Sequence, residues 1–278
     1  MKVFKFGGAS VKDAGGVRNV AEVLENQGFE SCLLVVSAMG KTTNALEKVV
    51  KEYFEEGDYQ QWIQKIKEEH IGIAGELFEK NHPIFEEIKI IFDEAEFFLK
   101  INKSPNYNFV YDQVVTCGEI ISSKILSSYL KEAGFSNEWL DARDFIKTDA
   151  NYREGLINWE ITEKNVLKLD NDKFYVTQGF IGSDDNNFTV SLGREGSDYS
   201  AAIFAYCLNA SDVTIWKDVP GVMTGDPQKF DNVELLTNIS YEEAIEMAYY
   251  GASVLRVKAV LLGSVLCSVI MGMPRRSS

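Results

Sequence analysis

Histidine is nearly absent: His70 and His82 are the only two in 278 residues. A Ser-His-Asp hydrolase or a His-rich metal centre therefore has little material to work with. Both histidines sit in a charged helical stretch and are expected at the solvated surface. The four cysteines, Cys32, Cys117, Cys207 and Cys267, are far apart and form no C-x-x-C pair. That spacing argues against zinc ligation and a disulfide framework, and for reduced, mostly buried thiols in a cytoplasmic protein. Long apolar runs are missing as well. The longest, residues 260–273, is broken by small and polar residues and is shorter than the about 20 residues that span a bilayer. Met1-Lys2-Val3-Phe4 passes directly into a strand pattern with no apolar h-region, so no signal peptide is expected. Positive charge is in deficit, with 28 basic against 42 acidic residues and a net charge of -14. Such a surface repels nucleic-acid backbones and anionic membranes. It does not exclude ATP, because a few local cations outweigh a distant acidic field.

What is present reads as a globular α/β chain, 45% hydrophobic and 25% charged. Residues 3–6 form a strand pattern ending in Gly7-Gly8, followed by an amphipathic helix over 17–27 with Val17, Val20, Ala21 and Leu24 on one face. Residues 32–36 are continuously apolar, as in a strand buried on both faces of a parallel sheet. Residues 45–100 read as several Glu- and Lys-rich helices that cover the sheet or form a lid, without chemistry of their own. A helix over 118–132, strands over 174–180, 188–192 and 213–219, and a small-residue helix over 198–209 follow. Ser240-Tyr241-Glu242-Glu243 is a capping box that opens a helix running to about residue 251. Strands alternating with helices imply a mainly parallel sheet with helices on both faces. With no repeat or linker visible, residues 1–278 are expected to form a single domain. Ligands of such sheets bind beyond the carboxyl ends of the strands. Gly7-Gly8 and the segments 37–44, 193–198 and 218–226 each follow a strand.

Several constellations in those segments can carry chemistry. In Lys5-Phe6-Gly7-Gly8-Ala9-Ser10, two glycines after a strand permit close approach to a ligand and φ > 0, and successive amides can form an anion nest. The pattern is not a P-loop, since the G-x-x-x-x-G-K-[ST] order is absent. Taken locally, it fits an ordinary tight turn with a surface lysine equally well. Gly193-Arg194-Glu195-Gly196-Ser197-Asp198 places glycines and a bidentate-capable arginine before a helix start, a ready anion site. Asp198 by itself also fits a simple helix cap. The loop 216–227 is generic for α/β proteins. Glu119, in Thr116-Cys117-Gly118-Glu119, fits a helix-dipole partner or a carboxylate offered to a substrate ammonium.

Taken together, these motifs resemble aspartokinases of the amino-acid kinase superfamily. Lys5 to Ser10 is similar to the lysine–glycine signature, and Gln178-Gly179-Phe180-Ile181-Gly182 with Leu192 to Asp198 to the central signature. Asp218-Val219-Pro220-Gly221 with Asp226-Pro227 is similar to the nucleotide loop. The resemblance covers about residues 2–255. It implies a three-layer α/β/α sandwich with a mainly parallel central sheet, and ATP, Mg2+ and L-aspartate as ligands. The implied reaction makes 4-phospho-L-aspartate, the first step towards lysine, threonine and methionine. It further implies catalytic roles for Lys5 and Asp198, and phosphate contacts from Gly7, Gly8 and Ser10. Ser37, Thr43, Glu119, Arg194 and Ser197 match substrate positions. Lys217, Asp218, Met223, Lys229 and Lys258 are assigned to the nucleotide. No residue is assigned as a metal ligand. A carboxylate nucleophile is already ionised at pH 7, so no general base is required. Positioning and charge neutralisation then carry the catalysis, with Asp198 as an organiser of Lys5 or the metal.

The sequence departs from the family pattern at three places. Met223 stands where a tyrosine is usual and Gln228 where an arginine is usual, with Lys217 or Lys229 as compensating cations. After Gly251-Ala252-Ser253-Val254-Leu255 the expected His-Pro is replaced by Arg256-Val257, and residues 256–278 diverge. The chain is expected to lack the family's C-terminal regulatory domains and so to be insensitive to lysine and threonine. A homodimer is compatible with the resemblance. Two alternatives stay open: a catalytically impaired nucleotide-binding domain of the same fold, and a sister kinase acting on another small carboxylate.

Overall fold

The computed structural model describes residues 1–217, 221–226, 229–236, 239–240, 243, 246–247 and, as backbone, 267–272. Strand β1 (Lys2–Phe6) lies near the middle of a six-stranded sheet. It pairs in parallel with β2 (Cys32–Val36) on one side and β7 (Asp212–Lys217) on the other. Beyond β2 come β4 (Phe174–Gln178) and the two-residue β3 (Glu138–Trp139); beyond β7 comes β8 (Cys267–Gly272). All of these pairings are parallel.

A side-chain period of two sends alternate residues of each strand to opposite faces. In β2, Cys32, Leu34 and Val36 pack with Phe4, Phe6, Val176 and Trp216 into one core. Leu33 and Val35 join Val3, Tyr175, Val213 and Ile215 in a second. The unbroken apolar run of β2 is thereby accounted for: both faces are buried.

The first core is covered by α1 (Ala14–Gln27), α2 (Thr42–Phe54), α3 (Tyr59–Leu77), α4 (Ile84–Ile101), α5 (Tyr107–Val115) and α6 (Cys117–Glu132). The second is covered by α8 (Trp159–Val166) and α9 (Gly196–Cys207), with the short α7 (Ala142–Phe145) at its edge. The three-layer α/β/α arrangement read from the sequence is thus present. Strands β5 (Ile181–Ser183) and β6 (Thr189–Ser191) stand apart as an antiparallel pair. The segment 193–198 therefore follows this hairpin and not a strand of the main sheet.

Two expectations need correction. His70 is buried, not solvated. Its Nδ1 lies 2.8 Å from the Ile66 carbonyl oxygen and its Nε2 3.3 Å from the Thr42 hydroxyl, and burial lowers its pKa despite the Ile66 contact. His82 is half-buried, stacked on Phe78 with centroids 4.3 Å apart and 3.5 Å from the Glu132 carboxylate. The thiols of Cys32, Cys117 and Cys207 are free and buried, as expected. Ser240 and Glu243 make both bonds of the capping box: the Ser240 amide donates to the Glu243 carboxylate, and the Glu243 amide to the Ser240 hydroxyl. No helix among the described residues is long and apolar enough to cross a membrane.

Candidate active site

The site grows out of strand alternation. Phe4 and Phe6 face the first core, so Val3 and Lys5 face the layer that contains α9. In β7, Lys217 continues the row of Val213 and Ile215 towards the same layer. Lys5 pairs in register with Ile215, which brings both lysines to the first turn of α9. There the Lys5 Nζ lies 2.5 Å from Asp198 Oδ1 and the Lys217 Nζ 3.4 Å from Oδ2. Lys5 is 7% exposed and Asp198 4%. Burial opposes ionisation of Asp198, but the two lysines outweigh it and hold the carboxyl below its ordinary range. Asp198 is therefore the counter-ion of a lysine pair, and the simple helix-cap reading falls away. Lys217, assigned to the nucleotide, is grouped with the two catalytic candidates.

The glycines after β1 act through close approach. Gly7 has φ -73°, and neither Gly7 nor Gly8 has a positive φ, so the αL geometry of an anion nest is not adopted. A Cβ on Gly8 would lie 2.6 Å from the Ala38 carbonyl oxygen. Gly8 also accepts from the Gly40 amide at 2.9 Å, and Phe6 accepts from the Ser37 amide at 3.1 Å. These contacts fasten the loop after β1 to the loop after β2. Ser10 is buried, with its hydroxyl 3.5 Å from the Trp216 carbonyl oxygen, a contact that ties the turn to β7.

Beside this centre lies a cavity of about 540 Å³. Gly8, Ser37, Thr43, Glu119, Arg194 and Ser197 line it, so all five substrate candidates meet in one place. Glu119 stands in the first turn of α6 and is 2% exposed. Its Oε2 has no hydrogen-bond partner. Burial raises its pKa to about 8, with the amides of Glu119 and Ala38 offsetting part of the effect. Arg194 is exposed at the mouth; the ion-paired arginine among the described residues is Arg143, not Arg194. Helix α9 begins after Glu195, which has φ +59° and provides no side-chain cap. Backbone carbonyls take its first amides instead: Gly196 donates to Gly193 at 2.9 Å and Asp198 to Glu195 at 3.1 Å.

Of the remaining nucleotide candidates, Met223 and Lys229 are described, and neither lines this cavity. Met223 is half-buried and bridges to Leu235, and Lys229 is exposed and lies 3.3 Å from Asp226. Asp218, Gln228 and Lys258 lie outside the described residues. Sequence reasoning missed Glu47, Tyr111 and Arg153, which also line the cavity. Glu47 and Tyr111 are on α2 and α5, so the helical stretch read as mere cover provides part of the wall. A helical-wheel comparison of α2, placing Thr43 and Glu47 one turn apart, was the available signal.

The chain matches the amino acid kinase family over residues 1–264. It belongs to that family. Among curated members, the lysine-sensitive aspartokinase 3 of Escherichia coli is 32% identical over 268 residues, covering 93% of this chain and 58% of that protein. The chloroplastic bifunctional aspartokinase/homoserine dehydrogenase 2 of Arabidopsis thaliana is 32% identical over 275 residues, covering 93% of this chain and 29% of that protein. A crystal structure of E. coli aspartokinase III with aspartate and ADP superposes with a TM-score of 0.90 at 29% identity, over 98% of this chain and 62% of that one. The chain spans less than two thirds of the length of these relatives. The family match runs past residue 255, where the motif resemblance stops.

Proposed function

We propose that this amino acid kinase transfers the γ-phosphoryl group of ATP to the side-chain carboxylate of L-aspartate. The observation that carries the reading is Glu119: a buried carboxyl with an unpartnered oxygen, lining a cavity that also holds Arg194. An α-amino acid offers an ammonium to the one and a carboxylate to the other. The names of the relatives, and the aspartate and ADP bound in the E. coli structure, support the same substrate pair.

The chemistry asks little of acid–base groups. A carboxylate oxygen of aspartate attacks the γ-phosphorus in line, and the bond to the β–γ bridging oxygen breaks. ADP leaves with the electron pair and 4-phospho-L-aspartate remains; no proton moves. The barrier lies in bringing an anion to a polyanion, which preorganised cations and amides lower. Lys5 and Lys217, oriented by Asp198, provide that charge. The positive end of the α9 dipole, with Ser197 in its first turn lining the cavity, adds to that field.

Mg2+ fits only as part of the nucleotide. Among the described residues no group of three or more metal-ligating side chains occurs, and both oxygens of Asp198 face lysines. A cation of this kind is ordinarily held by substrate phosphates with one or two carboxylates, and it would neutralise phosphate charge.

A hydroxylamine trap tests the proposal. Protein, MgATP and hydroxylamine should give aspartyl hydroxamate only when L-aspartate is present. ATP binding without hydroxamate would end the aspartate reading and leave a nucleotide-binding domain or a kinase for another small carboxylate.

A further inference from the structure

Arg153 lies outside every motif that carries the family likeness, and it stands in a conformation arginine seldom adopts. Its φ is +73°, the left-handed region that L side chains enter at a cost. A network holds it there. The Arg153 amide donates to Oδ2 of the fully buried Asp112 at 2.8 Å. The same carboxylate accepts the Ser191 amide at 2.9 Å and the Ser191 hydroxyl at 2.6 Å. Asp112 thereby fastens the loop carrying Arg153 to α5 and β6.

This anchoring presents a guanidinium. Its Cζ lies 4.2 Å from the centroid of Tyr111, and the Tyr111 hydroxyl donates to Glu47 at 2.6 Å. Stacking fixes the plane of the fork, which suits it to a carboxylate. Arg153, Tyr111 and Glu47 line the substrate cavity and also a second cavity of about 400 Å³ along α2, so they form the partition between the two.

The substrate proposed above has two carboxylates and one ammonium. Its reacting carboxylate must face the phosphoryl group near Lys5, and Glu119 suits the ammonium. The α-carboxylate remains to be matched. The cationic side chains lining the cavity, among the described residues, are Arg194 and Arg153. We propose that Arg153 is a specificity-determining residue that holds the substrate α-carboxylate together with Arg194. This inference rests on the aspartate reading.

The test compares wild type with Arg153→Gly and Arg153→Gln, using L-aspartate and its α-amide in an ADP-release assay, and reads melting temperature alongside. Glycine relieves the left-handed backbone, so Arg153→Gly should melt roughly 2 °C higher. In both variants KM for L-aspartate should rise about tenfold with little change in kcat. The preference for L-aspartate over the α-amide should fall by a similar factor. A purely structural role instead predicts a lower melting temperature in Arg153→Gly with kcat and KM moving together. That result overturns the proposal, as do wild-type kinetics and preference in both variants. If wild type forms no hydroxamate, the reading of transfer to aspartate fails separately. Calorimetry with L-aspartate then decides: tenfold weaker binding by the variants upholds the role of Arg153. Equal affinities, or no binding by wild type, overturn it.

Discussion

Replacing Glu119 with glutamine should make the protein more stable and worse at holding aspartate, with a pH dependence that separates the two effects. Burial moves the carboxyl from an ordinary 4.5 to about 8. A group whose folded-state pKa is raised keeps a proton that the unfolded chain has already released. Wild type therefore loses stability as pH rises from about 4.5 to about 8, and no further above that. At about 1.4 kcal/mol per tenfold change in the ionisation constant, the ceiling is about 5 kcal/mol. A carboxylate that meets water or a cation on ionising recovers part of it. Glutamine keeps the shape and does not titrate. Thermal melts of both proteins from pH 5 to pH 9 should show Glu119→Gln gaining on wild type up to pH 8 and then running parallel. Saturating L-aspartate should narrow the gap, since its ammonium stabilises the ionised form of wild type alone. Below pH 8, wild type should release a proton on binding aspartate, seen as a buffer-dependent heat in calorimetry. A stability difference that stays constant across this range would refute both the buried state of Glu119 and its proposed role.

Lys5→Ala should lower kcat about 10²- to 10³-fold with little change in aspartate KM, because its contact strengthens as charge is redistributed; an unchanged kcat removes Lys5 from the mechanism. Gly8→Ala should cost about 1–3 kcal/mol in chemical denaturation, since its Cβ meets the Ala38 carbonyl oxygen at 2.6 Å. In Gly72→Ala the new methyl meets nothing within 4 Å, and this variant should gain about 1 kcal/mol. Equal effects of the two substitutions would show that loop contact does not matter. His70 is held neutral, with a pKa lowered by burial, so the unfolded chain binds a proton that the folded one does not. Urea midpoints of wild type should fall relative to His70→Gln as pH drops below about 6.5, and parallel midpoints down to pH 5 would refute its burial.

The central strands are legible in the sequence because they are buried on both faces. An unbroken apolar run such as Cys-Leu-Leu-Val-Val has few other uses, and its expected bounds match β2. The substrate candidates Ser37, Thr43, Glu119, Arg194 and Ser197 are legible only through the resemblance of the motifs around them, and the fold brings them to one cavity. His70 is not legible, because the acidic residues before it suggest a solvated face. Its spacing with Ile63, Ile66 and Ala74 nevertheless marks the buried stripe of α3. Arg153 leaves no local trace at all: the carboxylate that holds its backbone is 41 residues away, and only the fold places the two together. The pairing of Lys217 with Asp198 is hidden for the same reason, since it depends on which strand lies beside β1.

That last neighbourhood bears on how the protein reaches its working state. Lys5 and Lys217 meet Asp198 only after β1 and β7, at opposite ends of the described continuous chain, have come together. Such a pairing closes a very long loop, and entropy makes contacts of this kind among the last to form. During synthesis the first lysine emerges long before its partners, so helices α1 to α6 can collect on their side of the sheet while this cluster is still incomplete. The lysine pair of the candidate site is in this sense a late property of the chain, complete only when the middle of the sheet closes.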